Sequence, residues 1–512
     1  MREVRTIKDL VYYADERFGE EPFVREIVHK ELQDTSYRQF RQDCDSLACW
    51  IQEKFPGQER THLALIGSTG YAYLTAWFGI QCANQVTVPL DVSNNAERIA
   101  DEIVRSDSEA VFLDDRHVAD LEIFKKLCPN VKYYIHLHEK PDPEQYPGVL
   151  FLGDILKEYA GKIPEGMPEE KDLAAILFTS GTTGQSKGVM LSHENLIDNT
   201  TCEEDLGFHG NKRFSVLPVH HVYCFTCDIL CSLWFGRTLC VNDSLMHIIK
   251  NLKKFRPTDA TFVPMISASV LARMQQMAAK NPDKLAIGKE VFGEEFDMLY
   301  SGGAYLSPEI IEGYKEFGIE IAQGYGMTEC SPRICSGVKN CEYPDSVGRI
   351  VRGCEVKISE EGEVWVKSKS VMMGYYHNPE ETAKTLTEDG WLKTGDLGYQ
   401  KDGYLYLTGR KKNLIILSNG ENVSPEEIEN QFACFAPVKE IIVYEENQQI
   451  VAEIFPNPEY ESEHIREEIQ AKIDAVNETF PPAKRIVKLV LRDTEFPKTA
   501  SKKIIRAAIH NI

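Results

Sequence analysis

The chain has 512 residues, 43% of them hydrophobic and 27% charged, with a formal net charge of -22. This length predicts two or more domains, and the acidic balance argues against nucleic-acid binding and against anionic membrane surfaces. No apolar run reaches the roughly 18 residues of a membrane helix, and the charged N-terminus has no signal-peptide pattern. With fourteen cysteines scattered without a framework, these features predict a reduced, cytoplasmic setting.

Residues 1–170 predict alternating helices and strands. Residues 35–55 have helical periodicity, and Thr35 or Ser36 is a suitable N-cap. Three apolar runs of strand length follow, namely THLALIG from residue 61, QVTVPL from residue 85 and EAVFL from residue 109. This alternation continues to about residue 330 and favours an α/β fold with buried, mostly parallel strands.

One loop stands out for its chemistry. An apolar strand at 172–178 leads into ten residues, 179–188, that hold two serines, three threonines, three glycines and one lysine. Inward-turning backbone N–H groups, four hydroxyls and the charge of Lys187 are the donors that a polyphosphate needs. The loop lacks the Walker A spacing, because Ser186 occupies the place of the second glycine. A flexible surface loop is the alternative, and the next helix is predicted to be capped by Ser192.

A cluster of cysteines and histidines follows in HHVYCFTCDILC, residues 220–231. A CxxC beside two histidines suggests zinc. Cys224, Cys227 and Cys231 also fall at helical spacing, so a buried helical stripe explains them equally well. Asp228, in the same apolar segment, either faces solvent or binds a polar group of a substrate.

The sequence pattern changes after residue 346. Short alternating strands joined by glycine-rich turns, including the hairpin signal Asp402-Gly403, predict an antiparallel subdomain over 346–410. A capping box of Ser424, Pro425 and Glu427 then starts a small α+β domain. Residues 484–506 carry eight basic and two acidic residues, which indicates either a solvated face or an arm that approaches phosphates.

Six segments, in order along nearly the whole chain, resemble the ANL adenylating superfamily, which includes acyl- and aryl-CoA synthetases, peptide-synthetase adenylation domains and luciferases. They are LFTSGTTGQSKGVMLSH, LPVHHVY, YSGGAYLS, QGYGMTECSP, GWLKTGDLGYQKDGYLYLTGRKKNLI and EFPKTASKKIIR. The resemblance implies a large adenylate-forming domain, residues 1–410, with mostly parallel sheets and an antiparallel subdomain. It also implies a small mobile C-terminal domain, residues 411–512.

The resemblance also implies the site residues. Mg²⁺ would be held by Glu329, while Thr328 would bond to the phosphate of the adenylate. His221 would stand at the entrance between the acid and thiol channels, and Lys503 would be the catalytic lysine of adenylation. The nucleotide would be bound by Thr179, Ser180, Gly181, Thr182, Thr183, Gly184, Lys187, Gly302, Gly324, Tyr325, Asp396 and Arg410.

Two departures from the family pattern matter. Lys502 replaces the glycine before the catalytic lysine, so Lys502 could supply the charge in place of Lys503. Tyr223 stands where amino-acid-activating relatives carry an aspartate, and His220 replaces a common aromatic residue.

The resemblance predicts ATP-dependent activation of a fatty or aryl carboxylic acid to acyl-AMP, followed by transfer to coenzyme A. Transfer to the phosphopantetheine arm of a carrier protein and a non-catalytic nucleotide-binding scaffold are the alternatives. The expected cofactors and partners are ATP, Mg²⁺, the acid and coenzyme A or a carrier protein, with no nucleic acid and no membrane span.

Overall fold

A computed structural model describes residues 3–57, 60–138, 146–179, 186–202, 211–337, 339, 343–417, 422–498 and 504–506. Within these ranges no helix is both long and apolar enough to cross a lipid bilayer.

The described residues form 26 strands and 16 α-helices. The strands are β1 Pro22–Val28, β2 Glu31–Ser36, β3 His62–Ile66, β4 Val86–Leu90, β5 Ser108–Leu113, β6 Tyr133–His136, β7 Val149–Phe151, β8 Leu173–Thr179, β9 Lys187–Ser192, β10 Lys212–Ser215, β11 Thr238–Val241, β12 Asp259–Phe262, β13 Met298–Ser301, β14 Ile321–Gly326, β15 Arg333–Ser336, β16 Arg349–Ile350, β17 Glu355–Ile358, β18 Glu363–Lys367, β19 Gly374–Tyr375, β20 Leu392–Lys401, β21 Tyr404–Arg410, β22 Ile415–Ile416, β23 Asn422–Val423, β24 Val438–Glu446, β25 Gln449–Pro456 and β26 Ile486–Leu491. The helices are α1 Ile7–Phe18, α2 Tyr37–Lys54, α3 Tyr71–Cys82, α4 Ala96–Arg105, α5 Leu121–Leu127, α6 Leu152–Glu158, α7 His193–Thr201, α8 Val222–Cys224, α9 Cys231–Phe235, α10 Ile248–Phe255, α11 Pro264–Ala278, α12 Lys284–Phe292, α13 Pro308–Glu316, α14 Pro379–Thr385, α15 Pro425–Glu429 and α16 Ile465–Thr479.

The first large sheet has eight strands in the order β19-β9-β8-β4-β3-β5-β6-β7. Its strands from β8 to β7 pair in parallel, while β9 and β19 are added antiparallel at one edge. The apolar runs predicted from the sequence are β3, β4 and β5, and all three are buried on both faces. Such burial explains why these strands read as nearly continuous hydrophobic stretches.

The second large sheet has thirteen strands in the order β17-β18-β20-β21-β16-β15-β14-β13-β12-β10-β11-β1-β2. The segment from β14 to β1 is parallel, and the segment from β17 to β14 is antiparallel. The predicted antiparallel subdomain is therefore one end of this sheet. Asp402 and Gly403 form the predicted hairpin turn, both with positive φ, as a two-residue turn between right-twisted strands requires.

The C-terminal domain is a small α+β unit. Its sheet joins β24 and β25 antiparallel and β25 and β26 in parallel, and α16 packs on it through Ile469, Ile473 and Val476. The basic residues described between 484 and 506 are largely ion-paired with glutamates of the same domain. These pairs are Lys484–Glu427, Lys488–Glu446, Arg492–Glu453, Lys498–Glu495 and Arg506–Glu429.

Local capping signals were partly correct. The Ser36 side chain accepts a hydrogen bond from the Gln39 N–H at the start of α2, and Ser192 forms a capping box with Asn195 at the start of α7. The capping box predicted at Ser424 is wrong, although α15 does begin at Pro425. The Ser424 hydroxyl donates to the Glu426 carboxylate, 3.1 Å away, and is therefore turned away from the helix N–H groups.

Candidate active site

The two ends of the predicted phosphate loop lie side by side. β8 and β9 pair antiparallel so that Thr179 faces Lys187, and the Thr179 hydroxyl donates to the Lys187 carbonyl at 3.4 Å. The intervening candidates Ser180, Gly181, Thr182, Thr183 and Gly184 lie outside the described residues. The hairpin nevertheless places its one lysine at the base of the loop, where the strand ends.

Lys187 is held on two sides by side chains from a distant part of the chain. Its Nζ lies 2.7 Å from Oε2 of Glu381, in the first turn of α14. The same Nζ lies 5.0 Å from the ring centroid of Tyr375, a distance typical of a cation–π contact. Tyr375 reaches this place because β19 pairs with β9 next to Lys187.

Glu329 is linked to Lys187 through Tyr375. Thr328 and Glu329 lie in a single 3₁₀ turn directly after β14, and both are partly buried. The Tyr375 hydroxyl donates a hydrogen bond to Oε1 of Glu329 at 2.8 Å. One tyrosine therefore contacts both the predicted phosphate-binding lysine and the predicted metal-binding carboxylate.

A second cluster forms around Asp396 and includes Tyr325, four residues before Glu329. The Tyr325 hydroxyl, from β14, donates to one Asp396 oxygen at 2.7 Å. Arg410 pairs with Asp396 across β20 and β21, and its Nε lies 3.0 Å from the other oxygen. Asp396 is 8% exposed and Arg410 is 52% exposed, so the carboxylate is buried while the guanidinium beside it reaches solvent.

Gly302 and Gly324 bring two neighbouring strands into close approach. A Cβ on Gly302 would lie 3.0 Å from the Tyr223 ring and 3.3 Å from the Gly324 carbonyl, so a larger residue would displace Tyr223. Tyr223 is two residues after His221, which is exposed and stands at the N-terminus of α8. The structure thus brings Tyr223 and Gly302 to the strand that carries Tyr325.

His220 packs beside His221, with ring centroids 4.4 Å apart. Burial lowers the pKa of His220 to about 3, and the neighbouring His221 acts in the same direction. Asp91, whose Oδ1 is 3.6 Å from the His220 Nε2, opposes that shift. His220 is therefore neutral at physiological pH and packs as an uncharged ring against His221.

Comparison with known proteins identifies the family. The model described as "AMP-binding enzyme" matches residues 14–376, and that described as "AMP-binding enzyme C-terminal domain" matches residues 412–512. This chain belongs to the family of AMP-binding enzymes.

The relatives of this AMP-binding enzyme include acid–CoA ligases. It is 29% identical over 445 residues to a long-chain-fatty-acid–CoA ligase of Haemophilus influenzae, an alignment that covers 77% of this chain and 76% of the relative. It is 29% identical over 348 residues to the 4-coumarate–CoA ligase CCL1 of Humulus lupulus, covering 62% of this chain and 60% of the relative.

Solved structures share the whole fold. The anthranilate CoA ligase AuaEII in complex with anthranoyl-AMP superposes with a TM-score of 0.85 at 19% identity, covering 99% of this chain and 96% of that one. The o-succinylbenzoate CoA synthetase of Bacillus subtilis with ATP and magnesium superposes with a TM-score of 0.78 at 20% identity, covering 97% and 98%. The α/β fold with a large N-terminal and a small C-terminal domain is thus that of the ANL superfamily.

The apolar segment after His221 is part of the core of this AMP-binding enzyme. Cys224, Cys227 and Cys231 are buried, and no group of three or more potential ligands among the described side chains is arranged to hold a metal ion. Asp228 is fully buried, so its interpretation as a solvent-facing residue is wrong. Arg213 Nη1 lies 3.3 Å from its carboxylate, and burial still raises the pKa of Asp228 to about 6.

Two site residues were missed by sequence reasoning, namely Tyr375 and Glu381. Both lie in GYYHNPEET, where the only local signal is the Asn378-Pro379 helix start. That signal predicts a helix and carries no information about Lys187. Lys503 and Lys502 lie outside the described residues, so the choice between them stays a prediction.

Proposed function

We propose that this AMP-binding enzyme is an acyl-CoA synthetase that works in two steps. In the first, a carboxylate oxygen of the acid attacks the α-phosphorus of ATP, and the bond to pyrophosphate breaks. In the second, the sulfur of coenzyme A attacks the acyl carbon, AMP leaves with the electron pair, and the thiol proton is released.

The observation that carries this proposal is the single segment 325–329, which has one cluster at each end. At one end, Tyr325 holds Asp396 beside Arg410. At the other, Glu329 is held by Tyr375, which also contacts Lys187. Tyr325 and Glu329 are four residues apart along the chain, which supports a ribose-binding carboxylate near a lysine and a carboxylate suited to phosphates and Mg²⁺.

Each residue has a proposed role. Asp396 and Arg410 bind the ribose, while Tyr325 and the glycines at 302 and 324 border the base.

The phosphates have their own proposed residues. Thr179, the loop residues 180–184 and Lys187 bind the β- and γ-phosphates, and Thr328 bonds to the α-phosphate that remains in the adenylate. Donors that are oriented before the reaction are the most effective against the charge that develops during it.

Glu329 fits the proposed magnesium ion. Mg²⁺ prefers oxygen ligands and is usually bound through one or two carboxylates together with substrate phosphates and water. When bound, the ion would offset the negative charge of the leaving pyrophosphate. The chain contributes the Glu329 carboxylate, whose orientation is set by the Tyr375 hydroxyl.

The small domain is proposed to supply the catalytic lysine. We place the boundary between residues 410 and 411, and assign adenylation to Lys503 by its register from Pro497. His221 is proposed to stand between the acid and thiol channels. Because one lysine would serve only the first step, the small domain is expected to move before thiol attack.

The proposed acid is a fatty or aryl carboxylic acid. Tyr223 argues against an α-amino acid, since it offers no carboxylate for an ammonium group, and both relatives compared above carry names of acid–CoA ligases. The acceptor is proposed to be coenzyme A, and a phosphopantetheine carrier protein is the second candidate. Both share the adenylation step.

The test is a panel of fatty and aryl acids assayed for pyrophosphate release with ATP and Mg²⁺, with and without coenzyme A. We expect release that depends on acid and on Mg²⁺, and a CoA thioester as product. Thioester formation on a loaded carrier protein alone would favour the second candidate. Nucleotide binding without pyrophosphate release for any acid would contradict the proposal and favour a non-catalytic scaffold.

A further inference from the structure

The carboxylate of Glu381 lies between two lysines. Its Oε2 is 2.7 Å from Nζ of Lys187, and its Oε1 is 2.6 Å from Nζ of Lys384, one turn later in α14. The pKa of Glu381 is lowered to about 2, first by the hydrogen bond from Lys187 and then by that from Lys384. The group is therefore an anion throughout the neutral range.

This arrangement orients Lys187 without cancelling its charge. Two ammonium groups share one carboxylate, so the trio keeps a net positive charge. An ammonium group has three N–H donors, and the contact with Glu381 uses one of them. No other side chain or carbonyl of the described residues accepts from this Nζ, which leaves the other two donors for an anion.

The backbone around Glu381 is itself fixed. The Asn378 side chain caps α14 by accepting from the Glu381 N–H at 3.1 Å, and Pro379 occupies the first helical position. The preceding strand β19 adds Tyr375, whose ring lies under the Lys187 ammonium and whose hydroxyl holds Glu329. The segment from Tyr375 to Glu381 therefore contacts both Lys187 and Glu329.

We propose that Glu381 is a positioning residue for the polyphosphate of ATP. Glu381 holds Lys187 over Tyr375 in the orientation that receives the β- and γ-phosphates. Lys384 is its counter-cation and keeps the Lys187 charge available. The inference rests on the proposed function only in placing the ATP phosphates at Lys187.

An ordinary surface ion pair is the competing explanation. Such pairs contribute little to stability, and Lys187 and Glu381 are 24% and 30% exposed. Loss of a merely structural pair would weaken the binding of every ligand and slow both half-reactions to the same extent. A positioning role instead predicts an effect confined to ligands that carry β- and γ-phosphates.

The experiment compares binding of ATP and of AMP to the full-length protein, with Mg²⁺ and without acid, by titration calorimetry. For Glu381→Ala we expect ATP binding to weaken about 5- to 20-fold, because a displaced ammonium loses much of its attraction for phosphate. AMP binding should stay within about twofold, because AMP lacks the β- and γ-phosphates. Glu380→Ala, on the exposed side of the same helix turn, is the matched control and should change neither.

Two further variants guard against misfolding and test the charge argument. Glu381→Gln keeps an acceptor for Lys187 and should weaken ATP binding less than Glu381→Ala. Lys384→Ala leaves Lys187 to neutralise Glu381 alone, so it should also weaken ATP binding selectively.

Equal weakening of ATP and AMP, unchanged ATP binding, or tighter ATP binding in Glu381→Ala would overturn the inference. The last outcome would mean that Glu381 competes with phosphate. These binding readouts need no turnover. The protein could release no pyrophosphate with any acid of the panel while these variants weaken ATP binding but not AMP binding. That combination would disprove the proposed function and leave the role of Glu381 standing.

Discussion

Asp396 accepts contacts from Tyr325 and Arg410, one on each carboxylate oxygen. Each oxygen of an ionised carboxylate has a further lone pair, so two ligand hydroxyls can still be accepted. The tyrosine and the arginine therefore orient the group and leave its remaining lone pairs for the proposed ribose.

At this scale the first prediction is that Asp396→Asn weakens ATP and AMP binding together, by about tenfold or more, because an amide can accept at only one of its two positions. Titration calorimetry with both nucleotides is the measurement. Asp402→Asn is the control, because Asp402 lies in the exposed turn of the same hairpin at a positive φ that asparagine also adopts. Selective loss of ATP alone would contradict the ribose assignment.

The proposed link between the two domains is a short element with few internal hydrogen bonds. After β21 the chain makes one 3₁₀ turn, Lys411–Asn413, whose closing bond runs from the Leu414 N–H to the Lys411 carbonyl at 3.4 Å. Lys411 is anchored to Glu361 and Glu363 of the large domain. Lys412 is exposed and follows that anchor, so a rotation about its backbone would move the small domain.

The second prediction is that Lys412→Pro impairs thioester formation much more than pyrophosphate release, because proline fixes φ at 412 and restricts Lys411. Lys412→Ala removes the charge but not the rotation, and it should be mild in both assays. The two half-reactions are measured separately on protein whose circular dichroism is unchanged. Equal loss of both in the proline variant would place the hinge elsewhere.

The stability of the whole molecule is expected to depend on His193, which connects the N-terminal helix α1 to the start of α7, directly after β9. Its Nδ1 accepts a hydrogen bond from the Ile7 N–H at 3.2 Å, and its side chain is buried. Burial lowers the pKa of His193 from 6.5 to about 4. Protonation is thus easier in the unfolded chain, so stability is full above pH 6.5 and falls as the pH drops from 6.5 towards 4.

The third prediction follows from this loss of stability at lower pH. Between pH 7 and pH 5 this one group should remove about 2 kcal/mol of stability, from the linkage of a pKa shift to unfolding. His193→Asn keeps an acceptor for the Ile7 N–H but cannot be protonated, so it should lose less stability over this range than the natural protein. Urea unfolding at both pH values is the measurement, and His29→Asn, at an exposed turn, is the control. An unchanged pH response in His193→Asn would contradict the assignment.

Much of the fold could be predicted because it depends on local patterns. Strands β3, β4 and β5 are apolar runs bounded by polar residues, the caps at Ser36 and Ser192 need only neighbours within a turn, and the Asp402-Gly403 hairpin follows from backbone preference. The family signature is also local, so the sequence alone was enough to recognise the AMP-binding family and to name Lys187, Glu329 and Asp396 as candidates.

Only the tertiary structure decided which groups meet. Glu381 is 194 residues from Lys187, and Tyr375 is 46 residues from Glu329, so no periodicity or spacing rule relates them. Asp228 was left open between a solvent-facing residue and a binder of a polar group of the substrate, and the structure instead buries it beside Arg213 of β10. The Ser424 cap failed for a local reason, since its hydroxyl donates to Glu426, two residues later, and accepts no hydrogen bond from the helix N–H groups. Local propensity is a property of a few consecutive residues, whereas ion pairs and buried charges depend on where distant strands place their side chains.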